Sequence, residues 1–118
     1  MSMIDGGALL RALMGTPRGH DLLPPNLAAQ LPPLRSTEGQ GQDVLCRVKL
    51  FTPAGSWTWY LIEYDPDEQV AFAWVKSGLD PAYDELGYVS IAELDELNAA
   101  VERDHHYSPE PLRTVRPR

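Results

Sequence analysis

Between residues 44 and 91 the chain alternates four short runs rich in β-branched and aromatic residues with breaks of Pro, Gly and Asp, and nothing else restricts its fold as much. The runs occupy residues 44–51, 57–64, 70–76 and 86–91. Their length and composition favour strands over helices. The links Thr52-Pro53-Ala54-Gly55 and Asp65-Pro66-Asp67-Glu68 have hairpin length, whereas residues 77–85 form a longer loop, so an antiparallel meander is expected. In the second run Trp57, Trp59, Leu61 and Glu63 should point one way, and Thr58, Tyr60, Ile62 and Tyr64 the other. Both faces are bulky, which calls for cover on both sides of the sheet.

The flanking segments supply that cover. Ser90 and Glu93 form a Ser-x-x-Glu capping pattern, with Leu94, Leu97 and Val101 at helical spacing, so a helix is expected over 91–100. Residues 102–107 read as a fifth strand or an extended return, and Pro109 and Pro111 should then end regular structure. Near the start, residues 8–14 suit one short helix stopped by Gly15-Thr16-Pro17. Leu22-Leu23-Pro24-Pro25 and Leu31-Pro32-Pro33-Leu34 then bracket residues 26–30, where proline permits only extended or one-turn structure. The polar residues 37–43 form the loop into the sheet. The expected fold class is α+β: an antiparallel four- to five-stranded meander sheet packed against a C-terminal helix and a Pro-rich N-terminal segment. Residues 1–30 form an extension, 31–112 a single domain and 113–118 a basic tail.

A chain of 118 residues with 43% hydrophobic residues can bury one core unaided. The longest apolar runs fall far short of the ~18 residues needed to span a membrane, and no secretory leader is evident, so a cytoplasmic protein with no membrane association is expected. Cys46, the single cysteine, excludes an internal disulfide and any zinc site with several thiolates. A net charge of -7 opposes binding to a phosphate backbone, so direct nucleic-acid binding is not expected. Acids crowd residues 63–104, where Lys76 and Arg103 are the only lysine and arginine. Arg113, Arg116 and Arg118 make the tail basic, able to fold back on the acidic face or to meet a partner.

One set of residues runs through these elements: Leu31-Pro32-Pro33-Leu34, Thr37-Glu38, Phe51-Thr52-Pro53, Gly55, Trp57-Thr58-Trp59-Tyr60, Glu63, Asp65-Pro66, Glu85-Leu86-Gly87-Tyr88, Glu93-Leu94, Glu102-Arg103-Asp104, Pro109 and Pro111-Leu112. In this set the chain resembles a family of small proteins catalogued as a domain of unknown function and met mainly on bacterial plasmids and other mobile elements. The chain departs from it in carrying Phe72-Ala73-Trp74-Val75 where the family often has Phe-Gly-Leu-Val, and in a longer N-terminus. The resemblance implies a mobile-element context and assigns no activity.

Trp57, Trp59 and Tyr60 could stack on a flat ligand or pack in the core, and Tyr88 and Arg103 are further candidate binding residues. Glu63, Glu102 and Asp104 are the candidate catalytic carboxylates: in an extended stretch Glu102 and Asp104 share a face and could meet Glu63 on a neighbouring strand. His105-His106 face opposite ways, and Asp65-Pro66-Asp67-Glu68 lacks the glycine and distant glutamate of a calcium loop. No metal site and no cofactor are therefore assigned. No phosphate-binding loop or nucleophile elbow occurs either. The leading expectation is a non-enzymatic accessory protein, monomer or homodimer, that engages a protein partner or small ligand through the aromatic face or an open strand edge. Alternatives are an acidic DNA mimic that occupies a nucleic-acid-binding protein, and an enzyme using the three carboxylates.

Overall fold

The computed structural model describes residues 9–116. Its strands are β1 (Leu45–Cys46), β2 (Val48–Phe51), β3 (Thr58–Asp65), β4 (Val70–Lys76), β5 (Glu85–Ser90), β6 (Glu102–Arg103) and β7 (Glu110–Pro111). The helices that carry labels are single turns or little more: α1 (Pro25–Ala28), α2 (Ile91–Asp95) and α3 (Leu112–Val115). Five strands make one antiparallel sheet in the order β5-β4-β3-β2-β6, and β1 pairs with β7 separately. The expected α+β meander is present, with β6 as its fifth strand.

Several elements differ from the sequence expectation. The run 44–51 is not one strand, because the chain breaks at Arg47 and sends Leu45–Cys46 to pair with Glu110–Pro111. Pro109 and Pro111 likewise do not end regular structure. Pro111 pairs with Leu45 and then precedes α3, positions where its missing N–H costs little. The helix expected over 91–100 is capped as foreseen, Glu93 N donating to Ser90 Oγ at 3.1 Å. It stops at Asp95, however, and a 3-10 turn at Asn98–Ala100 follows, with Asn98 at φ 53°. A left-handed residue cannot continue an α-helix, and Asn tolerates that conformation better than most. Residues 9–14 are helical, residue 8 of the expected helix lying outside the described residues.

The two expected covers do not lie on opposite faces. Leu22 and Leu31 from the N-terminal segment and Ile91, Leu94 and Val101 from the α2 region all bury against one face, with Val48, Leu50, Leu61, Ala71 and Ala73 of the sheet. The opposite face is covered by the β1 and α3 regions, where Val44, Cys46, Leu112 and Val115 pack on Ile62 and Trp74. The first residues of the tail join that cover, Arg113 pairing with Asp43 and the Arg116 guanidinium lying 4.7 Å over the Trp74 ring, while Arg118 lies outside the described residues. Trp74 Nε1 is buried without a hydrogen-bond partner.

A bulge in β3 corrects the alternation read from the sequence. Leu61 opposes Ala73 and Glu63 opposes Phe72, so Ile62 is an extra residue on the β3 side. Beyond it the faces exchange. Tyr64 joins the core of Leu61, whereas Glu63 leaves the tryptophan face and borders a cleft with Ile62 and Phe72.

Candidate functional site

Trp57 and Trp59 are held at the mouth of the β2–β3 hairpin. Thr52 organises the turn: its N–H donates to Trp57 O at 3.1 Å, its Oγ1 accepts from Trp57 N at 3.0 Å, and Gly55 N donates to Thr52 O at 3.1 Å. Gly55 is required there, since a Cβ would fall 2.8 Å from Thr52 Oγ1. The two indoles stack with centroids 6.3 Å apart and planes inclined by 17°. Trp59 is half-buried against the core, and Trp57 is 41% exposed.

The indoles form one wall of an apolar groove of about 360 Å³. Leu94, Leu97, Ala100 and Val101 form its floor and far wall, and Leu10 and Met14 of the N-terminal helical segment close one side. Two hydrogen bonds dock that segment, from Asn98 Nδ2 to Met14 O and from Ala99 N to Thr16 O. Arg18 secures it further. Its side chain is 4% exposed and donates to Val101 O, to Asn98 O and to Asp95, with Nη1 2.7 Å from Asp95 Oδ1. Leu10, Met14 and Arg18 were not singled out from sequence, because their partners lie some eighty residues away in the chain and no local spacing signals them.

The other candidate binding residues lie elsewhere. Tyr60 is on the opposite face, its ring 5.8 Å from that of Tyr107 and 5.9 Å from Lys49 Nζ. Burial raises the Tyr60 phenol above its ordinary range, with Glu110 adding to the effect. Tyr88 is an exposed residue of β5 that packs on Phe72 at 5.2 Å. Arg103 spends its guanidinium on the N-terminal segment, donating to Asp21 O at 2.7 Å and Leu22 O at 2.8 Å. Of the five, only Trp57 and Trp59 share a site.

The three candidate carboxylates do not converge. Glu63, 3% exposed, accepts from Arg35 N at 2.7 Å, from Thr37 N at 2.9 Å and from Thr37 Oγ1. These bonds fix the turn after Leu34, where Arg35 has φ 71°. Glu102 lies 2.9 Å from His20 Nε2, and Asp104 lies 3.5 Å from Lys49 Nζ. β6 neighbours β2 rather than β3, which keeps Glu102 and Asp104 away from Glu63. His105 stacks edge-on against His20 at 4.6 Å, while His106 N donates to Asp104 Oδ1 at 2.9 Å. Among the described residues no cluster of His, Cys, Asp and Glu has the arrangement to hold a metal ion.

Cys46 has no nucleophilic environment. Burial, and secondarily Glu110, pushes its thiol from 9.0 up to about 12, so it stays protonated at neutral pH. The acids between residues 63 and 104 are also put to varied local uses. Glu63 fixes a turn, Asp65, Asp80 and Asp84 accept from backbone N–H groups in loops, Asp95 and Asp104 pair with Arg18 and Lys49, and Glu102 lies in hydrogen-bond contact with His20. No helix of the described residues is long and apolar enough to cross a membrane.

Residues 22–114 match the family described as "Protein of unknown function (DUF2958)". No curated protein and no solved structure matches the chain.

Proposed function

The chain belongs to the DUF2958 family, and we propose that it is a non-enzymatic binding protein that receives apolar side chains of a protein partner in the groove beside Trp57 and Trp59. The observation that carries this reading is the groove itself: a concavity of about 360 Å³ whose walls are two stacked indoles and aliphatic side chains. Such a surface gains free energy when it leaves water, at about 25 cal/mol per Å² of apolar area. Tryptophan at the centre of a contact is also a frequent energetic anchor. A dispersed set of carboxylates and a protonated thiol supply no comparable support for a catalytic role. The resemblance carried by the motif set quoted above supports reading this binding role as an accessory function of a mobile genetic element.

The test is affinity capture from the native host with three baits: the wild type, Trp57→Ser and, as a control exposed away from the groove and from β5, Gln42→Ser. The expected outcome is a defined partner retained by the wild type and by Gln42→Ser and lost by Trp57→Ser, with Leu10→Ser or Leu97→Ser weakening it similarly. Identical recovery by Trp57→Ser and the wild type would sink the proposal.

A further inference from the structure

Among the described residues, the exposed large hydrophobic side chains fall into two sets. Leu10, Met14 and Trp57 line the groove, with Leu9 on the same helical segment, whereas Leu79, Tyr83, Leu86 and Tyr88 lie on β5 and the loop that leads into it. β5 is the outermost strand of the sheet, paired with β4 from Glu85 to Ser90, and among the described residues no strand lies on its other side. The opposite edge strand, β6, is only two residues long and pairs with β2 at Leu50 and Phe51, so it presents far less open backbone than β5 does.

Of the usual devices that blunt an open edge, β5 has only the charge of Glu85 at its start. It carries no proline and no lysine, and its register with β4 runs without a bulge. Leu86 and Tyr88 project on one face, across from Trp74 and Phe72. On the other face Gly87 leaves open space, with nothing within 4 Å of where a Cβ would stand. An incoming strand would meet a row of backbone groups with two apolar side chains on one face and open space on the other.

Charge decides what kind of strand. Asp80, Asp84 and Glu85 precede or open β5, while Asp65, Asp67 and Glu68 occupy the β3–β4 turn, which reaches the far end of β5 through Ile91 N to Gln69 O at 2.8 Å. The ion pairs among the described residues involve Asp95, Glu102, Asp104 and Asp43, and none of these six acids. Lys76 is the only lysine or arginine between Asp65 and Glu93 in sequence and stands against both Asp80 and Asp84, while Arg35 borders the cleft beside Leu86 and Tyr88 rather than the ends of the strand. Both ends of the edge are therefore negative, which opposes pairing with a second copy that carries the same acids and favours a strand with basic ends.

We infer that β5 accepts an extended segment of a partner protein as a sixth strand, with apolar residues at alternate positions to meet Leu86 and Tyr88 and with lysine or arginine at its ends. Main-chain hydrogen bonds give such a complex its affinity, and the flanking charges give it direction and selectivity. This surface is separate from the Trp57 groove, so each can fail without the other.

The experiment uses the full chain and three synthetic peptides of about ten residues, enough to match a strand of ordinary length. The first alternates valine and threonine between lysine pairs, the second replaces the lysines with glutamates, and the third carries proline at its centre. Amide hydrogen exchange of the protein and peptide dissociation constants are measured for the wild type, for Leu86→Lys with Tyr88→Lys, and for Trp57→Ser. The lysine-ended peptide is expected to slow exchange within 85–90. The glutamate-ended and proline peptides, and the Leu86→Lys with Tyr88→Lys protein, should each bind at least ~tenfold more weakly. Trp57→Ser should match the wild type. Equal binding of lysine- and glutamate-ended peptides, unchanged exchange in β5, or a dimer that already protects β5 in the free protein would each overturn the inference.

Discussion

Glu63 is the residue where the chemistry read from the sequence and the chemistry in the fold part most widely. Its carboxylate is buried, yet it is satisfied by two backbone N–H groups and a threonine hydroxyl from the turn after Leu34. Glu63→Gln removes one acceptor oxygen and sets an amide donor against existing donors. The expected cost is about 1–3 kcal/mol, read as a lower denaturation midpoint, with faster exchange at Arg35 and Thr37. Cys46 makes a second prediction. Its thiol titrates at about 12 in the folded chain against 9.0 for an ordinary thiol, so between those values the unfolded chain has lost a proton that the folded one keeps. Stability is therefore fully present below pH 9 and falls as pH rises toward 12, by at most ~1.4 kcal/mol per pH unit from this group. The raised phenols of Tyr60, Tyr64 and Tyr107 act in the same direction. Thermal melts across that range should be less steep in pH for Cys46→Ala than for the wild type, and an unchanged slope would remove Cys46 from the account.

The elements of the fold were legible wherever a signal was local. Hairpin lengths, β-branched runs and the Ser90–Glu93 cap placed β3, β4, β5 and the start of α2 within a residue or so. Ser90→Ala should cost about 1 kcal/mol, the usual worth of such a cap, and a melt unchanged within a few tenths of a kcal/mol would show that packing of Ile91 and Leu94 holds the helix start alone. What stayed hidden depended on distant partners. Nothing near Ile62 announces a bulge, yet that one extra residue moves Glu63 from the tryptophan face to the other, and the expected meeting with Glu102 and Asp104 fails because β6 pairs with β2 rather than β3. Arg47 sits in a run of strand formers, and only the arrival of Glu110–Pro111 shows why the chain divides there. Asn98 ends the helical spacing by adopting a left-handed conformation that Leu97 and Val101, read as a periodic pair, do not reveal. The groove was half legible: the paired indoles stood out, whereas the wall from Leu10 and Met14 required knowing where the N-terminal segment docks.

Across the whole molecule, the N-terminal segment is fastened by a few polar clasps that connect the core to the groove. Arg18 reaches Val101 O, Asn98 O and Asp95, Arg103 reaches back to Asp21 O and Leu22 O, and Leu22 is buried between these anchor points. The guanidinium of Arg18 is enclosed while Asp95 is largely exposed, so the strength of this clasp lies in the two carbonyls more than in the ion pair. Arg18→Met keeps the aliphatic stem but strands those carbonyls, at a cost of about 2–4 kcal/mol. Because Leu10 and Met14 are carried by the segment that Arg18 holds, the same substitution should open one side of the groove while leaving the β2–β5 sheet intact. Tryptophan emission should then shift to longer wavelength as Trp57 and Trp59 gain water, and exchange should rise over residues 9–16 before it rises in β3 and β4. The companion variant Asp95→Asn, which leaves both carbonyl contacts in place, should change little. If Arg18→Met instead loosened β3 and β4 together with the N-terminal segment, the segment would be an inseparable part of the sheet's core, and a groove wall able to move independently of that core would have no physical basis.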